Sequence, residues 1–117
     1  MTYPKGLVVL VPFPFADRLD EKIRPAVVLN SEVYERATGE IVVALLTSKP
    51  QSGPFTHELA AWKAAGLRKP TWMRARITTV SARRVLHVPG MLAPADFDAV
   101  ERIVQTALPC TKRHPPA

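Results

Sequence analysis

The chain has little cysteine and lacks the short motifs that mark metal, nucleotide and serine-hydrolase sites. Cys110 is the only cysteine in 117 residues, so no disulfide can form within the chain. Histidines 57, 87 and 114 have no metal-site spacing, and the glycine motifs of nucleotide-binding loops and nucleophile elbows are missing. We therefore expect no metal and no cofactor. His57 could serve acid–base chemistry, but an isolated histidine more often lies exposed on a strand.

Long hydrophobic runs are also missing. The longest apolar stretches, near residues 7–16 and 41–46, are too short to cross a bilayer and are interrupted by proline or polar residues. The first residues do not form the apolar core and cleavage site of a signal peptide. We therefore expect a cytoplasmic protein without a membrane partner.

Apolar residues and positive charge are plentiful. Hydrophobic residues make up 47% of the chain, which is enough for one folded domain of this length. The 16 basic residues outnumber the 10 acidic ones and give a formal net charge of +6. A basic surface favours anionic partners such as nucleic acid, although charge that only maintains solubility would look the same.

Short apolar segments separated by proline- and glycine-rich turns predict a mainly β fold with one C-terminal helix. Strands are expected at residues 7–11, 25–30, 40–47, 55–59, 71–80 and 85–92. Prolines 12 and 14 should end the first strand, and residues 16–23 should form a charged connection. Pro94 fits the first turn of a helix that Pro109 ends. We predict a small, bent SH3-like barrel of five to seven strands over residues 1–108, with a disordered tail over 109–117.

Two predicted strands end in side chains that suit a phosphate. Arg24 precedes Pro25, which forces it into an extended conformation at the start of its strand. Its guanidinium is a planar donor fork that matches phosphate oxygens. Thr47 and Ser48 end another strand with adjacent hydroxyls. For each residue alone, an ordinary surface arginine or turn hydroxyl is the favoured interpretation, but together in one cleft they would suit a phosphate.

The strand expected at residues 71–80 carries an aromatic and basic stripe. Alternation places Trp72, Arg74 and Arg76 on the face opposite to the apolar residues 73, 75 and 77. Such a face can stack a base and bind phosphates. A solvated face with a tryptophan at a subunit contact is the alternative interpretation.

Taken together, these segments resemble the MazF/PemK toxins of bacterial toxin–antitoxin systems. The resemblance covers about residues 5–108, and it rests on residues 6–15, 23–29, 45–48, 66–70 and 92–94 in this order. It implies an SH3-like barrel, a homodimer, and cleavage of single-stranded RNA without a metal. It also implies neutralisation by a cognate antitoxin that occupies the RNA groove.

The resemblance also suggests roles for individual residues. The family's catalytic arginine and threonine correspond to Arg24 and Thr47, and a later arginine that some members use corresponds to Arg74. We expect RNA-binding roles for a further set of residues, namely Phe15, Ser48, Lys49, Trp72 and Arg76. Two acidic residues common in the family are missing, because Leu7 follows Gly6 and Arg76 stands near the place of the later aspartate.

RNA supplies its own nucleophile, the 2′-OH, so a metal-free nuclease has only to position it, stabilise the phosphorane and allow two proton transfers. The products would be a 2′,3′-cyclic phosphate and a 5′-OH. Arginine holds its proton too tightly for easy acid catalysis, so we expect an electrostatic role for Arg24. The sequence identifies no general base. The alternatives are a non-catalytic barrel toxin that binds a protein target such as gyrase, or a degenerate nucleic-acid-binding module.

Overall fold

Strands dominate the part of the chain that the computed structural model describes, residues 2–14 and 21–109. Within these residues lie six strands and two α-helices, α1 at Glu32–Thr38 and α2 at Pro94–Ala107. The strands are β1 Leu7–Pro14, β2 Glu21–Val28, β3 Glu40–Thr47, β4 Thr56–Glu58, β5 Trp72–Ser81 and β6 His87–Met91. The predicted mainly β fold with a C-terminal helix is therefore confirmed.

The strands form one antiparallel sheet in the order β4-β5-β3-β2-β1-β6. β1 also contacts β5, which is not its neighbour in this order, so the sheet curls back on itself. The curl explains why the central strands consist of continuous apolar runs and do not alternate between apolar and polar residues. Both of their faces are covered, so side chains on both faces must be apolar.

Two hydrophobic cores lie on the two faces of this sheet. The first core is covered by α2 and the turn before β5, and its buried members are Val8, Val27, Ala44, Leu46, Leu59, Ala65, Met73, Leu92 and Val100. The second core lies on the opposite face of the central strands, and its buried members are Val9, Val11, Phe13, Ala26, Val28, Ile41, Val43, Leu45 and Val80. Alternate residues of β1, β2 and β3 point into opposite cores, which holds the curled sheet and the helix in one unit.

The prediction that proline ends the first strand is wrong, because β1 continues to Pro14. The Leu10 carbonyl accepts from the Leu86 N–H, which shows that even-numbered residues of β1 direct their backbone groups away from β2. Pro12 and Pro14 share this direction. Pairing of β1 with β6 ends at the Leu10–His87 pair, so the missing N–H groups interrupt no ladder among the described strands.

The second strand begins earlier than predicted, at Glu21 and not at Pro25. Arg24 therefore lies inside β2, paired with Val11, and not at the start of the strand. The expected connection over residues 16–23 is shortened, since residues 21–23 pair with β1. Residues 16–20 lie outside the described residues, as do Phe15 and residues 110–117 of the predicted tail.

Helix α2 begins at Pro94 as predicted and ends at Ala107. Its apolar side packs against the first core through Phe97, Val100 and Ile103. No helix within residues 2–14 and 21–109 is long and apolar enough to cross a membrane.

Candidate phosphate-binding cleft

A cleft opens where β2 and β3 stop pairing. The two strands pair from Val28–Val43 to Ala26–Leu45, and no pair follows. The Leu29 N–H donates to the Val42 carbonyl, so odd-numbered residues of this segment direct their backbone groups toward β3. Val27 and then Pro25 are the preceding odd-numbered residues of β2. Pro25 has no N–H to donate to β3. The ladder therefore ends at this proline, and the strand ends separate beyond it.

Arg24 and Thr47 stand across this opening from each other. Continuing the Ala26–Leu45 register by two residues brings Arg24 opposite Thr47. Both residues share a sheet face with members of the second core, because residues two apart on a strand point to the same side. Both are half-buried. The two residues that the sequence associates with a phosphate therefore meet at one site.

The cleft has a volume of about 460 Å³. Its lining residues are Arg24, Pro25, Thr47, Ser48, Lys49, Leu67, Arg68, Lys69 and Thr71. This set contains four cationic side chains and no carboxylate. The site therefore suits an anion, and its size lies in the range of pockets that bind small ligands, about 300–1,000 Å³.

The polar groups of the cleft keep donors available for a ligand. Arg24 Nη1 donates to the Ile23 carbonyl at 3.1 Å, and no described carboxylate pairs with its guanidinium. Thr47 Oγ1 accepts from the Lys49 N–H at 3.1 Å. The Thr47 O–H has no acceptor among the described residues and can donate to an anion in the cleft.

A second wall of the cleft comes from residues 67–71, which the sequence analysis did not assign to the site. Arg68 and Lys69 are exposed there, whereas Thr71 is only 4% exposed and donates through Oγ1 to the Lys69 carbonyl at 2.9 Å. In the sequence, this wall is marked by two adjacent cations, Arg68 and Lys69, between Gly66 and Pro70. Two chain-turning residues around a basic pair are typical of a fixed loop that presents charge.

The predicted stripe on β5 lies outside the cleft. Arg74 is exposed and lines a neighbouring cavity of about 510 Å³ with Phe55 and Thr56. Trp72 and Arg76 are half-buried, and Arg76 has an interaction partner of its own. The stripe is not continuous because β5 bulges, leaving residues 75 and 76 without a partner on β3.

His57 is not the exposed strand histidine that the sequence suggests. Its Nε2 lies 2.9 Å from Asp96 Oδ1, and the Asp96 side chain is only 4% exposed. Asp96 also accepts from the Ala60 and Ala61 N–H groups, each at 2.9 Å. Burial raises the pKa of Asp96, but the Ala60 N–H, His57 and the Ala61 N–H lower it by more, so it lies below its usual value. This cluster fastens α2 to the segment after β4.

Within residues 2–14 and 21–109, no group of three or more His, Cys, Asp and Glu side chains is arranged to hold a metal ion. A curled antiparallel sheet with a C-terminal helix defines a small barrel-like β protein, and its cationic cleft suits an anion. The chain belongs to the PemK-like, MazF-like toxin family of type II toxin–antitoxin systems, whose family model matches residues 5–108. No protein of curated function matches the chain by sequence alone.

Several solved toxin structures share the fold. A mycobacterial endoribonuclease in complex with its cognate antitoxin is 18% identical, with a TM-score of 0.77 over 92% of this chain and 95% of that one. MazF in a MazE–MazF complex from Deinococcus radiodurans is 18% identical, with a TM-score of 0.74 over 95% and 100%. A MazF structure from Deinococcus radiodurans is 24% identical, with a TM-score of 0.72 over 92% and 97%. At these identities the likeness supports the fold alone.

Proposed function

We propose that this protein is a toxin endoribonuclease that cleaves single-stranded RNA without a metal ion and is neutralised by a cognate antitoxin. The observation that carries the proposal is that Arg24 and Thr47 line one cleft that contains four cations and no carboxylate. Membership of the toxin family supports the same conclusion. Similar structures include an endoribonuclease bound to its antitoxin, which supports both the activity and the partner.

RNA is the expected substrate because its 2′-OH can serve as the nucleophile. The 2′-oxygen attacks the adjacent phosphorus, the bond from phosphorus to the 5′-oxygen breaks, and a 2′,3′-cyclic phosphate and a 5′-OH result. The 2′-OH loses one proton and the departing oxygen gains one. The described lining residues contain neither a carboxylate nor an imidazole, so we assign neither proton transfer to them.

Arg24 and Thr47 stabilise the charge that develops on the phosphorane. The fork of Arg24 can contact two oxygens of the phosphate, since only one of its terminal nitrogens donates to the protein. The free O–H of Thr47 supplies a neutral donor from the other strand. Ser48 and Lys49 line the same cleft and extend the contacts to the RNA. Donors fixed on two strands need little reorganisation during the reaction.

Arg74 receives a different role from the one that the family resemblance implies. It lines the neighbouring cavity with Phe55, an exposed aromatic residue, and not the cleft of Arg24. We propose that this cavity receives RNA beyond the scissile phosphate, with the base stacked on Phe55 and the backbone near Arg74. We also propose a homodimer, which sedimentation analysis of the purified protein can test.

Cleavage of a long single-stranded RNA in EDTA tests the proposed activity, with the cut sites and the end groups mapped. We expect 2′,3′-cyclic phosphate and 5′-OH ends. Arg24→Ala should lower kcat by about 10²–10³-fold, the usual effect of removing one donor to a developing oxyanion. The matched control is Arg83→Ala, because Arg83 is exposed and does not line the cleft.

Four outcomes would contradict the proposal or a part of it. Cleavage that stops in EDTA would remove the metal-free mechanism, and full activity of a folded Arg24→Ala protein would remove the assigned site. A wild-type protein that inhibits growth but leaves RNA intact would favour a barrel toxin that binds a protein target. Harmless expression without an antitoxin would point to a degenerate binding module.

A further inference from the structure

We propose that Arg68 and Lys69 bind a second RNA phosphate, adjacent to the one held by Arg24 and Thr47. This inference rests on the proposed function and extends it to the length of backbone that the cleft holds. Both cations line the same cleft as Arg24, although they come from a different part of the chain, between the turn that ends at Gly66 and the start of β5. The cleft thus has two sources of positive charge.

The number of charges favours two phosphates over one. Each phosphate of the RNA backbone carries one negative charge. The cleft contains Arg24, Lys49, Arg68 and Lys69, and no described carboxylate pairs with any of them. One phosphate beside Arg24 would leave the other wall with uncompensated charge. A second phosphate beside Arg68 and Lys69 would offset part of this charge.

The backbone that carries these two cations is fixed at its beginning. A Cβ atom on Gly66 would lie 2.2 Å from the Pro89 carbonyl oxygen, and one on Gly90 would lie 2.5 Å from the Ala65 oxygen. The turn therefore crosses β6 with backbone against backbone. Gly66 has a φ of 83°, and the Leu67 N–H donates to the Trp62 carbonyl at 3.1 Å.

The same segment is fixed at its end. Thr71 is buried, donates to the Lys69 carbonyl, and accepts from the Leu59 N–H at 2.9 Å through its own carbonyl. The backbone of residues 66–71 is therefore held on both sides, while the side chains of Arg68 and Lys69 remain exposed. Fixed backbone with exposed cations suits a binding role, because little ordering is needed when RNA arrives.

The test uses an oligonucleotide that contains the mapped cut site, and the variant Arg68→Gln/Lys69→Gln. A second phosphate contact away from the reacting atoms should affect binding and not chemistry, so KM should rise while kcat stays unchanged. Lys63→Gln is the matched control, because Lys63 lies in the same turn but over the Trp62 ring, and does not line the cleft.

The dependence of RNA affinity on salt concentration measures how many RNA phosphates the cleft contacts. Fluorescence anisotropy with a 2′-fluoro version of the oligonucleotide, which has no nucleophile, gives the affinity at each salt concentration. Loss of the one additional phosphate contact should reduce the slope of log K against log salt by about 0.7 in the double variant. Between 50 and 200 mM salt, wild type should lose about 2.6-fold more affinity than the double variant.

The outcomes separate this inference from the proposed function. If wild type cleaves RNA and the double variant keeps the wild-type KM and salt slope, the second phosphate site is wrong and the nuclease assignment stands. A loss of kcat at unchanged KM would also overturn it. If wild type neither binds nor cleaves RNA, both proposals fail. If the double variant does not fold, the single variants Arg68→Gln and Lys69→Gln replace it in the same test. Each should change the salt slope by about half as much as the double variant.

Discussion

Replacing Asp96 should weaken the attachment of α2 to the sheet. Its carboxylate accepts three hydrogen bonds at 2.9 Å, from the Ala60 N–H, the Ala61 N–H and His57. Hydrogen bonds to charged groups contribute about 1.5–3 kcal/mol each. Ala60 is exposed and Ala61 half-buried, so water can replace part of these bonds. We discount each to about 1 kcal/mol, and we expect Asp96→Ala to lower the free energy of unfolding by about 3 kcal/mol.

For a chain of this size, such a loss corresponds to a fall in Tm of roughly 12 °C, at about 4 °C per kcal/mol. Urea denaturation followed by circular dichroism gives the free energy directly. The matched control is Asp98→Asn, because Asp98 is exposed on the same helix. An Asp96→Ala protein as stable as wild type would refute the idea that this cluster fastens the helix.

The isosteric variant Asp96→Asn tests the role of the charge through pH. The pKa of Asp96 is below its usual value in the folded protein, so the ionised carboxylate stabilises the fold above the unfolded pKa of about 3.9. This contribution is lost as the pH falls through the lower folded pKa. The difference in stability between wild type and Asp96→Asn should therefore be larger at pH 5 than at pH 3. An equal difference at both values would contradict the shift.

Three further predictions concern the cleft, the contact between β6 and the turn before β5, and the first core. Thr47→Val should lower kcat by about 10–100-fold, because it removes a donor to a charged oxygen. Thr47→Ser keeps the hydroxyl and should stay within a few-fold of wild type. Equal activity of both variants would exclude the hydroxyl from the mechanism. Gly90→Ala should lower the free energy of unfolding, measured by urea denaturation, by about 2 kcal/mol, because the new Cβ would collide with the Ala65 carbonyl. Unchanged stability would mean that β6 and the turn ending at Gly66 separate easily. Val100→Ala should lower the free energy of unfolding by about 2 kcal/mol, because Val100 is buried in the first core. Val33→Ala, at a position 73% exposed, should change the same free energy by less than about 0.5 kcal/mol. Similar losses for both variants would contradict the burial pattern.

Features set by neighbouring residues could be predicted from the sequence. Strand β3 has the predicted limits, Glu40–Thr47, because its apolar run ends on polar residues on both sides. Helix α2 begins at Pro94, where proline loses no hydrogen bond. The presence of Arg24 and Thr47 in one cleft was predicted as well, although Arg24 was expected at the start of its strand.

Features set by distant residues could not be predicted in the same way. The extension of β1 through Pro14 depends on which side of the strand lacks a neighbour, and sequence alternation does not give this information. The bulge in β5 interrupts a regular pattern that looks unbroken in the sequence. His57 and Asp96 are 39 residues apart, and only the packing of α2 brings them together.

The ladder between β2 and β3 ends at Pro25 because this residue has no backbone N–H, so the width of the cleft depends on the missing donor. Alanine at position 25 would restore an N–H directed at β3, and the two strands could then close by one more pair. Such a protein would gain a hydrogen bond and lose part of the space between Arg24 and Thr47. We therefore expect Pro25→Ala to stabilise the fold and to reduce the activity of the cleft at the same time.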